Sequence, residues 1–465
     1  MTRSARLLFS PAIFRDVQRH LFPGDSQEHA GVLLCGWHTR DGRTVLTTAQ
    51  FLAARDGVDY TVSPQLHGRL EPLFIEDALS QAKQQRLAYI AIHNHFSDDA
   101  VSFSRVDMAS HEYGYPTLAR LNSGLPVGAA VFGTGSVEVD LWMPDGARLQ
   151  LETARVLGRW VRHLWASPRY APQAVYDEHF DRQLPFLRAG GQGLLAHATV
   201  GIVGVGGLGS QLIEPLVRLG IRNFVLLDPD RIDVSNYSRV HGALPRDLPT
   251  ATKQGALKVN IARRLIHSIA PDATVAALSL DVAHGDAHRA LLECDFVFLA
   301  ADTAEARLTC NALAHQYFVP MVQVGSKVHV DSTGRLDGVF GAIRHVRPGR
   351  GCLWCNGLID RVALADASKT QEQRDAERYG TKIHNPAVVT FNAEVAGRAL
   401  NEFLRYYATP APVHEAATDY TLLDLLEGER ELVEPTSSVD CPFCSRALPD
   451  SYFGVSAAKR VVTLD

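Results

Sequence analysis

The feature that most constrains the fold is a glycine-rich turn between an apolar segment and a helix-like one. TVGIV precedes Gly204-x-Gly206-x-x-Gly209, Gly207 lies inside the same turn, and SQLIEPLVRLG follows it. Glycine is needed because the backbone must bend tightly and approach phosphate groups, which face the amides at the start of the helix. The sequence therefore predicts a strand–turn–helix unit that binds a nucleotide. This spacing by itself is also typical of a dinucleotide-dependent dehydrogenase.

Strand-like and helix-like segments alternate after residue 176, which is typical of a doubly wound parallel sheet. The strand-like segments there are ATVGIVGV, NFVLLD, ATVAALSL, DFVFLAAD and PMVQVGS. We therefore expect an α/β, Rossmann-like domain over residues 176–465.

The first third of the chain has a different pattern. Strand-like GVLLCGW, RTVLTTAQFLAA, LAYIAIHNH and GAAVFGTGSVEVDLWM surround helix-like segments near Pro64–Gln85 and Ser104–Leu121. This pattern favours an α+β domain with a mixed sheet over residues 1–165. The proline-punctuated stretch ASPRYAPQA, which begins at Ala166, predicts a linker over residues 166–175. A chain of 465 residues is long enough for two or three domains.

The composition is that of a soluble globular protein, with 46% hydrophobic and 21% charged residues. The formal net charge of −5 does not indicate a nucleic-acid or membrane-surface partner. No apolar run approaches the roughly 20 residues of a membrane span. The N-terminal segment MTRSARLLFSPAIF lacks the apolar core and cleavage site of a secretion signal. We therefore expect a cytoplasmic protein.

Four of the seven cysteines form two Cys-x-x-Cys pairs, Cys352 with Cys355 and Cys441 with Cys444. An odd number of cysteines argues against a disulfide framework. Two such pairs match a tetrahedral zinc site with four thiolates, and a redox pair is the alternative. Two pairs in a cytosolic chain favour structural zinc. The other three cysteines stand in apolar contexts and are expected in the core: Cys35, Cys294 and Cys310.

A second constellation lies in HNHFSDDAVSFSRVD. Alternate residues of a strand share a face, so His93 and His95 point the same way. Ser104 is a plausible N-cap, with Asp107 one turn inside the helix. Two imidazoles and a carboxylate leave one zinc position open for water, as hydrolytic sites require. Glu28, ahead of a strand expected beside the histidine strand, is the candidate general base.

The residues after the glycine turn narrow the choice of nucleotide enzyme. LLDPDRIDVSNYSRV resembles the D-x-D-x-V-x-x-S-N-x-x-R sequence of the ubiquitin-activating, ThiF/MoeB-like adenylyltransferases. FDRQLPFLRAGGQGLLAHATVGIVGVGGLGS resembles the Arg-Gln motif of the same family, and Lys258 and Asp302 stand at its lysine and acidic positions. The resemblance covers roughly residues 176–450.

This resemblance implies that a substrate carboxylate attacks the α-phosphate of ATP and that pyrophosphate leaves. Cations and Mg²⁺ must balance the phosphate charge. Asp228, at the end of the next strand, fits a ribose contact in a dehydrogenase as well as here. The resemblance also implies that Asp230 binds the ribose and that Asp302 organises Mg²⁺. The phosphates would be bound by Asn236, Arg239 and Lys258. Arg182 would contact the nucleotide of a neighbouring subunit in a symmetric homodimer.

The family also carries a zinc ion at the position of the two cysteine pairs, where it ties the C-terminal segment to the sheet. Ubiquitin-activating relatives place a nucleophilic cysteine after the first pair, whereas this chain has no cysteine between Cys355 and Cys441. The polar stretch Ala365–Lys382 predicts a solvated loop. The region that corresponds to the nucleophile's position lies in this stretch and just beyond it, and it offers Tyr379, Thr381 and His384. We therefore expect adenylation with direct transfer to a partner's thiol, or a hydroxyl in place of the thiol.

The N-terminal part, over roughly residues 8–165, resembles the JAMM/MPN+ metalloisopeptidases, whose pattern is E-x-x-G, then H-x-H, then S-x-x-D. The resemblance implies zinc ligation by the two histidines and Asp107, proton transfer by Glu28 and oxyanion support by Ser104. Two departures are Phe96 in place of the usual proline and one additional residue before Ser104. The alternative to an active peptidase is a non-catalytic module that binds the carrier protein.

Both parts fit one substrate, the C-terminal tail of a ubiquitin-like protein. The first would trim or remove that protein, and the second would activate its carboxylate. Such a fusion resembles bacterial ubiquitin-like conjugation systems, some of which act in antiphage defence and include a conjugating-enzyme homologue. The alternative is activation of a sulfur-carrier protein for cofactor or siderophore biosynthesis, which does not require an enzyme cysteine.

Overall fold

The chain divides into two compact units that follow different folding patterns. The computed structural model describes residues 4–40, 42–63, 67–122, 124–172, 177–331, 333, 335–360, 364, 386–408, 419–448 and 451–454. The first unit holds the chain up to Ala171, together with Gln316–Phe318 and described residues after Ser445. The second holds the described residues from Pro172 to His315 and from Val319 to Ser445. The change of unit at residue 171 falls inside the stretch predicted as a linker.

The first unit is built from ten strands and three α-helices in its described part. The strands are β1 (Ser4–Phe9), β2 (Ala30–Arg40), β3 (Arg43–Ala53), β4 (Tyr60–Ser63), β5 (His67–Leu70), β6 (Ala88–Asn94), β7 (Val127–Phe132), β8 (Val137–Trp142), β9 (Arg148–Leu157) and β10 (Val161–Leu164). The helices are α1 (Pro11–Leu21), α2 (Pro72–Gln85) and α3 (Arg105–Leu121).

Eight of these strands form one mixed sheet in the order β1-β3-β2-β6-β7-β8-β9-β10, and β1 also pairs with β9. Strand β6 lies between antiparallel β2 and parallel β7. Apolar side chains of β2, β6 and β7, among them Leu34, Tyr89 and Val127, form a core with Leu79 of α2 and Tyr115 of α3. The expected mixed sheet is therefore present, and its strand β6 contains His93 and ends one residue before His95.

The predicted start of the second helix near Pro64 is wrong. Strand β5 pairs with β4 as a hairpin, and helix α2 begins only at Pro72. Proline is favoured at the first helical position because its fixed φ suits the helix and its missing N–H has no helical partner there. The helix-like pattern was thus correct only from Pro72 onward. The predicted segment over Ser104–Leu121 corresponds to α3, with Ser104 as its N-cap.

The second unit is built from eight strands and six α-helices in its described part. The strands are β11 (Thr199–Val203), β12 (Asn223–Leu227), β13 (Thr274–Leu278), β14 (Phe296–Leu299), β15 (Met321–Val330), β16 (Leu336–Val346), β17 (Tyr420–Asp424) and β18 (Glu429–Val433). The helices are α4 (Leu184–His197), α5 (Gly209–Arg218), α6 (Lys258–Ile269), α7 (Gly285–Leu291), α8 (Ala304–Gln316) and α9 (Val389–Tyr407).

The second sheet has the order β13-β12-β11-β14-β15-β16-β17-β18. Its first five strands are parallel, as the alternating pattern predicted. The last three pair antiparallel, which the sequence analysis did not anticipate. Strand β11 lies between β12 and β14, so the strand order reverses there. Ligands of open α/β sheets bind at the carboxyl ends of strands at such a point.

Aromatic side chains fix α9 on this sheet. The ring centroid of Phe403 lies 4.9 Å from that of Phe296 and 5.7 Å from that of Phe298, both in β14. All three side chains are fully buried. Among the described helices, none combines the length and the apolar character that a membrane crossing requires.

Replacing Phe403 with alanine removes the aromatic contacts that hold α9. Truncation of a buried phenylalanine costs about 3–5 kcal/mol of unfolding free energy. We expect the thermal transition of the second unit to move to clearly lower temperature in Phe403→Ala, as followed by calorimetry. Phe186→Ala, at a side chain that is 54% exposed, is the matched control and should change the transition little. Equal transitions in both variants would contradict this account of the core.

Candidate functional site

The histidine pair and Asp107 form a compact cluster at the end of β6. The Nε2 atoms of His93 and His95 are 3.3 Å apart, and each lies 3.7 Å from Oδ2 of Asp107. A tetrahedral zinc with bonds of about 2.0–2.1 Å separates its ligand atoms by about 3.3 Å. The three side chains are partly exposed. They therefore fit three ligands of a zinc ion whose remaining position faces solvent.

Glu28 reaches the same cluster from a neighbouring strand. It stands two residues ahead of β2, whose first residue, Ala30, pairs with His93. Its Oε1 lies 3.9 Å from Nε2 of His95. The antiparallel pairing brings the amino end of β2 to the carboxyl end of β6, which is why residues about 65 positions apart meet.

Ser104 and Asp107 form a reciprocal cap at the start of α3. The backbone N–H of Asp107 donates to Oγ of Ser104 at 3.2 Å, and the backbone N–H of Ser104 donates to Oδ2 of Asp107 at 2.7 Å. Such a capping box satisfies two amides that the helix leaves without partners. The structure therefore gives Ser104 a helix-capping role beside the cluster, and its predicted oxyanion role stays a prediction.

The ionisation of the cluster suits metal ligation. Burial raises the pKa of Asp107, but the neighbouring His93 and the hydrogen bonds with Ser104 outweigh it and hold that pKa well below its usual range. Burial, followed by the neighbouring His93, lowers the pKa of His95. The Nδ1–H of His95 donates to the carbonyl oxygen of Ser102 at 3.1 Å, since a carbonyl can only accept. Asp107 is therefore an anion, and Nε2 of a neutral His95 offers a lone pair to the cluster.

The irregular spacing before Ser104 is accommodated by a loop tied to the β7–β8 turn. Phe96, which follows His95, is 59% exposed. Oγ1 of Thr134 donates to the carboxylate of Asp98 at 2.7 Å, and Oγ of Ser136 donates to the carbonyl of Asp98 at 3.0 Å. These two hydrogen bonds tie the loop to the β7–β8 turn beside the cluster of His93, His95 and Asp107.

Two residues beside Glu28 escaped the sequence analysis. Oδ1 of Asn94 accepts the backbone N–H of His29 at 2.7 Å, and the His29 ring is bound by Asp56 and Asp25, each at 3.0 Å. Asn94 points to the face opposite its two histidine neighbours because side chains alternate along a strand. The asparagine between the histidines therefore anchors the segment that carries Glu28. The position of Asn94 between the two histidines was the only sequence feature from which this role could have been predicted.

The glycine turn of the second unit contains glycines of two kinds. Gly204 has φ of +86°, and a Cβ there would lie 2.8 Å from the backbone nitrogen of Ala301. A Cβ at Gly209 would clash with the carbonyl oxygen of Gly204. Within the described part of the chain, a Cβ at Gly206 would meet no atom within 4 Å. The first two glycines are required by the fold, whereas Gly206 borders open space that a close ligand could fill.

Arg239 and Asn392 converge on Gly207. A Cβ at Gly207 would lie 2.9 Å from Nδ2 of Asn392 and 3.0 Å from Cδ of Arg239. Asn392 is buried in α9, and its Oδ1 accepts a hydrogen bond from Oγ of Ser326 at 2.6 Å. The sequence analysis missed Asn392 because TFNAEVAG carries no spacing that relates it to the turn.

The two aspartates after β12 have different environments. Asp228 is buried, and its carboxylate accepts the backbone N–H of Val205 at 2.8 Å and that of Asp230 at 2.9 Å. Burial raises the pKa of Asp228. Asp230 is exposed, and its carboxylate binds Nζ of Lys258 at 2.7 Å. Asp228 therefore shapes the turn, while Asp230 and Lys258 offer opposite charges to a ligand.

The other predicted nucleotide residues lie around the same edge or at the surface. Nδ2 of Asn236 donates to Oγ of Ser235 at 3.4 Å, and Nη1 of Arg239 donates to the carbonyl of Ser235 at 2.8 Å. Asp302 is exposed between β14 and α8, next to the residue that Gly204 contacts. Arg182 is exposed just ahead of α4.

The four paired cysteines lie together in the second unit. Sγ of Cys352 is 3.8 Å from Sγ of Cys441, and Sγ of Cys355 is 3.6 Å from Sγ of Cys444. A tetrahedral zinc with Zn–S bonds of about 2.3 Å separates its sulfurs by about 3.8 Å. Nδ2 of Asn311 also donates to Sγ of Cys352 at 3.5 Å. The donor set therefore fits a closed structural zinc site.

The residues considered in place of a nucleophilic cysteine fall in a part of the chain that the structure does not describe. Tyr379, Thr381 and His384, together with the polar segment over Ala365–Lys382, lie outside the described residues.

The two kinds of glycine predict two kinds of variant. Gly206→Ala should keep the thermal transition of the parent but lower ATP affinity at least tenfold, because its methyl group occupies open space at the turn. Gly204→Ala should lower the unfolding free energy by more than about 1 kcal/mol, because alanine is strained at positive φ. Calorimetry and ATP titration by isothermal calorimetry separate the effects. Unchanged ATP affinity in Gly206→Ala would contradict a nucleotide at this turn.

Three comparisons relate this geometry to known proteins. Residues 180–443, more than half of the chain, match the model of the ThiF family. Ubiquitin-like modifier-activating enzyme 5 of Caenorhabditis briggsae is 24% identical over 257 residues, which cover 53% of this chain and 54% of that protein. The sulfur carrier protein ThiS adenylyltransferase of Bacillus subtilis is 29% identical over 192 residues, which cover 41% of this chain and 52% of that protein.

A solved structure of E. coli MccB aligns with a TM-score of 0.44 at 16% identity, over 58% of this chain and 75% of that one. The chain spans about half the length of the curated relatives that it matches. The family match covers the glycine turn, the aspartates after β12 and three of the four paired cysteines, and it ends one residue before Cys444. On this evidence the chain belongs to the ThiF family.

Proposed function

We propose that this protein is an ATP-dependent adenylyltransferase that activates the C-terminal carboxylate of a ubiquitin-like or sulfur-carrier protein. We further propose that its first unit is a zinc isopeptidase of the JAMM type acting on the same carrier. The observation that carries the first proposal is the open face of Gly206, together with Arg239 at the adjacent Gly207 and the Asp230–Lys258 pair after β12. The histidine cluster with Glu28 carries the second.

In the adenylation step, a carboxylate oxygen of the carrier attacks the α-phosphorus of ATP. A new phosphorus–oxygen bond forms, the bond to the bridging oxygen breaks, and pyrophosphate leaves with the electron pair. Backbone amides at the start of α5 face the phosphates, and Arg239, Asn236 and Lys258 surround them. The exposed Asp230 binds the ribose. Asp302 would hold Mg²⁺, which neutralises phosphate charge when bound.

The proposal of a carrier protein as the substrate rests on the names of the proteins to which this chain is similar. One relative is a ubiquitin-like modifier-activating enzyme and another is a sulfur carrier protein ThiS adenylyltransferase. Both names describe activation of a small carrier protein. We propose a homodimer in which Arg182 reaches the nucleotide of the neighbouring subunit.

One observation favours the sulfur-carrier form of this reaction. The chain has no cysteine between Cys355 and Cys441, where a thioester-forming enzyme needs one. An acyl-adenylate can be attacked directly by a sulfide or persulfide, which requires no enzyme thiol. In a conjugation system of the bacterial type, the thiol of a partner protein would be the nucleophile that attacks the acyl-adenylate.

In the peptidase, His93, His95 and Asp107 would hold zinc, which supplies a Lewis acid and lowers the pKa of water. Glu28, beside the cluster, accepts a proton from the attacking water and delivers it to the departing amine. The product is a carrier with a free C-terminal carboxylate, the substrate of adenylation. Cys352, Cys355, Cys441 and Cys444 would hold a second, structural zinc.

Two variants should separate the two activities. Glu28→Gln should lower cleavage of a carrier with a blocked tail by about 10²–10⁴-fold and leave ATP–pyrophosphate exchange with the trimmed carrier within twofold. Lys258→Ala should lower that exchange by about 100-fold and leave cleavage within twofold, because it removes a phosphate-binding cation. Glu112→Gln and Lys253→Ala, both at exposed residues, are the matched controls.

Candidate ubiquitin-like and sulfur-carrier proteins are tested intact and trimmed. Exchange with neither form of any carrier would contradict adenylation of a protein tail. Persistent cleavage in Glu28→Gln would contradict the assignment of the base.

Metal content gives an independent prediction. The parent chain should bind two zinc ions, and His93→Ala should bind one, as measured by inductively coupled plasma mass spectrometry after removal of free metal. His179→Ala, at a histidine whose side chain is 82% exposed, should retain two. One ion in the parent and one in His93→Ala would instead support a non-catalytic carrier-binding module.

A further inference from the structure

A single peptide group connects the histidine cluster to a carboxylate outside it. The carbonyl oxygen of Ser102 accepts the Nδ1–H of His95 at 3.1 Å. The N–H of Phe103 belongs to the same peptide group and donates to Oε2 of Glu138 at 2.9 Å. The hydrogen bonds therefore run in one direction, from the imidazole through the peptide to the carboxylate.

The pairing of the strands explains why Glu138 lies near the histidine cluster but outside it. His93 of β6 pairs with Val131 of β7, and Val131 pairs with Glu138 of β8. Residues in one row of a sheet point to the same face, so Glu138 and His93 share a face. Two strand spacings separate their backbones by roughly 10 Å. Glu138 therefore stands behind the cluster, where it reaches the loop but not the ligand atoms.

Strand β8 also fixes the helix that follows this loop. Asp140, two residues beyond Glu138 and on the same face, binds Nδ1 of His111 in α3 at 2.9 Å. Arg148 in turn binds both oxygens of Asp140, at 2.6 and 2.8 Å. The His111 ring packs edge-on against Phe103, with centroids 4.8 Å apart. The loop and the helix that carries Asp107 are thus held by two carboxylates of one strand.

Hydrogen bonds in such a chain polarise one another. An anion that accepts the N–H of a peptide makes its carbonyl a better acceptor, which favours a proton on Nδ1 of His95. The proton on Nδ1 leaves Nε2 as the basic nitrogen. Metal-ligating histidines commonly donate their other N–H to a carboxylate or carbonyl, which sets the tautomer and raises ligand basicity.

We propose that Glu138 is a positioning residue for the histidine cluster and acts through the Ser102–Phe103 peptide group. It holds the loop so that His95 keeps its proton on Nδ1 and directs Nε2 toward Asp107. This inference rests on the proposed peptidase function, since the cluster is taken as a zinc site. It explains how the chain tolerates the additional residue before Ser104: the loop is fixed by a side chain outside the motif.

The test measures the tautomer of His95 in the metal-free full chain. Long-range ¹H–¹⁵N spectra of protein labelled in histidine are recorded at alkaline pH, and His95→Gln assigns the resonance. We expect the Nδ1–H tautomer to dominate in the parent. In Glu138→Ala the ratio of tautomers should shift at least tenfold toward Nε2–H. Glu138→Gln keeps an oxygen for the N–H of Phe103 and should restore most of the parent ratio.

The same variants are then titrated with zinc against a competing chelator, with the cysteine site loaded beforehand. Glu138→Ala should bind zinc at the histidine cluster about 10–100-fold more weakly than the parent. Glu76→Gln, at an exposed residue of α2, is the control and should match the parent in both measurements. Glu138→Asp keeps the charge but moves the carboxylate oxygen away from the N–H of Phe103. This variant replaces Glu138→Ala in both measurements if the alanine variant does not fold.

A tautomer ratio in Glu138→Ala or Glu138→Asp within twofold of the parent would overturn the inference. Failure of the parent to bind zinc at the cluster would instead overturn the peptidase proposal. The tautomer comparison would then still decide the role of Glu138, because it requires no metal.

Discussion

The first unit depends on the register of β6 between β2 and β7. That register places His93 opposite Ala30 on one side and Val131 on the other. It thereby brings Glu28 and Glu138, one before β2 and one in β8, to the same edge of the sheet as the histidines. A shift of one residue would turn both histidines to the opposite face, since side chains alternate along a strand. Backbone pairing, more than any contact among the ligands, therefore defines this site.

The two candidate sites are organised in different ways. In the histidine cluster, the protein already joins the groups that would bind a cation: Asp107 accepts from Ser104 and lies between the imidazoles. At the glycine turn, the essential feature is space, because a Cβ at Gly206 would have no atom of the described residues within 4 Å. The spacing of the first arrangement suits a small cation. The second suits the proposed large anion, since the turn leaves room for it beside the backbone amides at the start of a helix.

Much of the fold and part of the sites could be predicted from the sequence. The strand periods and the glycine turn identified the parallel strands β11 to β15 because buried parallel strands and glycine turns leave strong local patterns. The hairpin β4–β5 and the antiparallel strands β16 to β18 were missed, and short, polar strands such as HGRL and ERELV carry little of the apolar pattern that identifies a strand. Asn392 and Glu138 were missed because the groups that they contact are distant in the chain. Each acts on its site through one contact that folding alone creates.

The cap of α3 couples two equilibria that are usually considered apart. Oδ2 of Asp107 completes the first turn of the helix and also faces both imidazoles. Any cation that binds this oxygen therefore acts on a group on which the helix start depends. Occupancy of the site and the fraying of the first helical turn are thermodynamically linked, and each must influence the other by the same free energy. The beginning of α3 is in this sense part of the binding site, although only one of its side chains touches the ligand position.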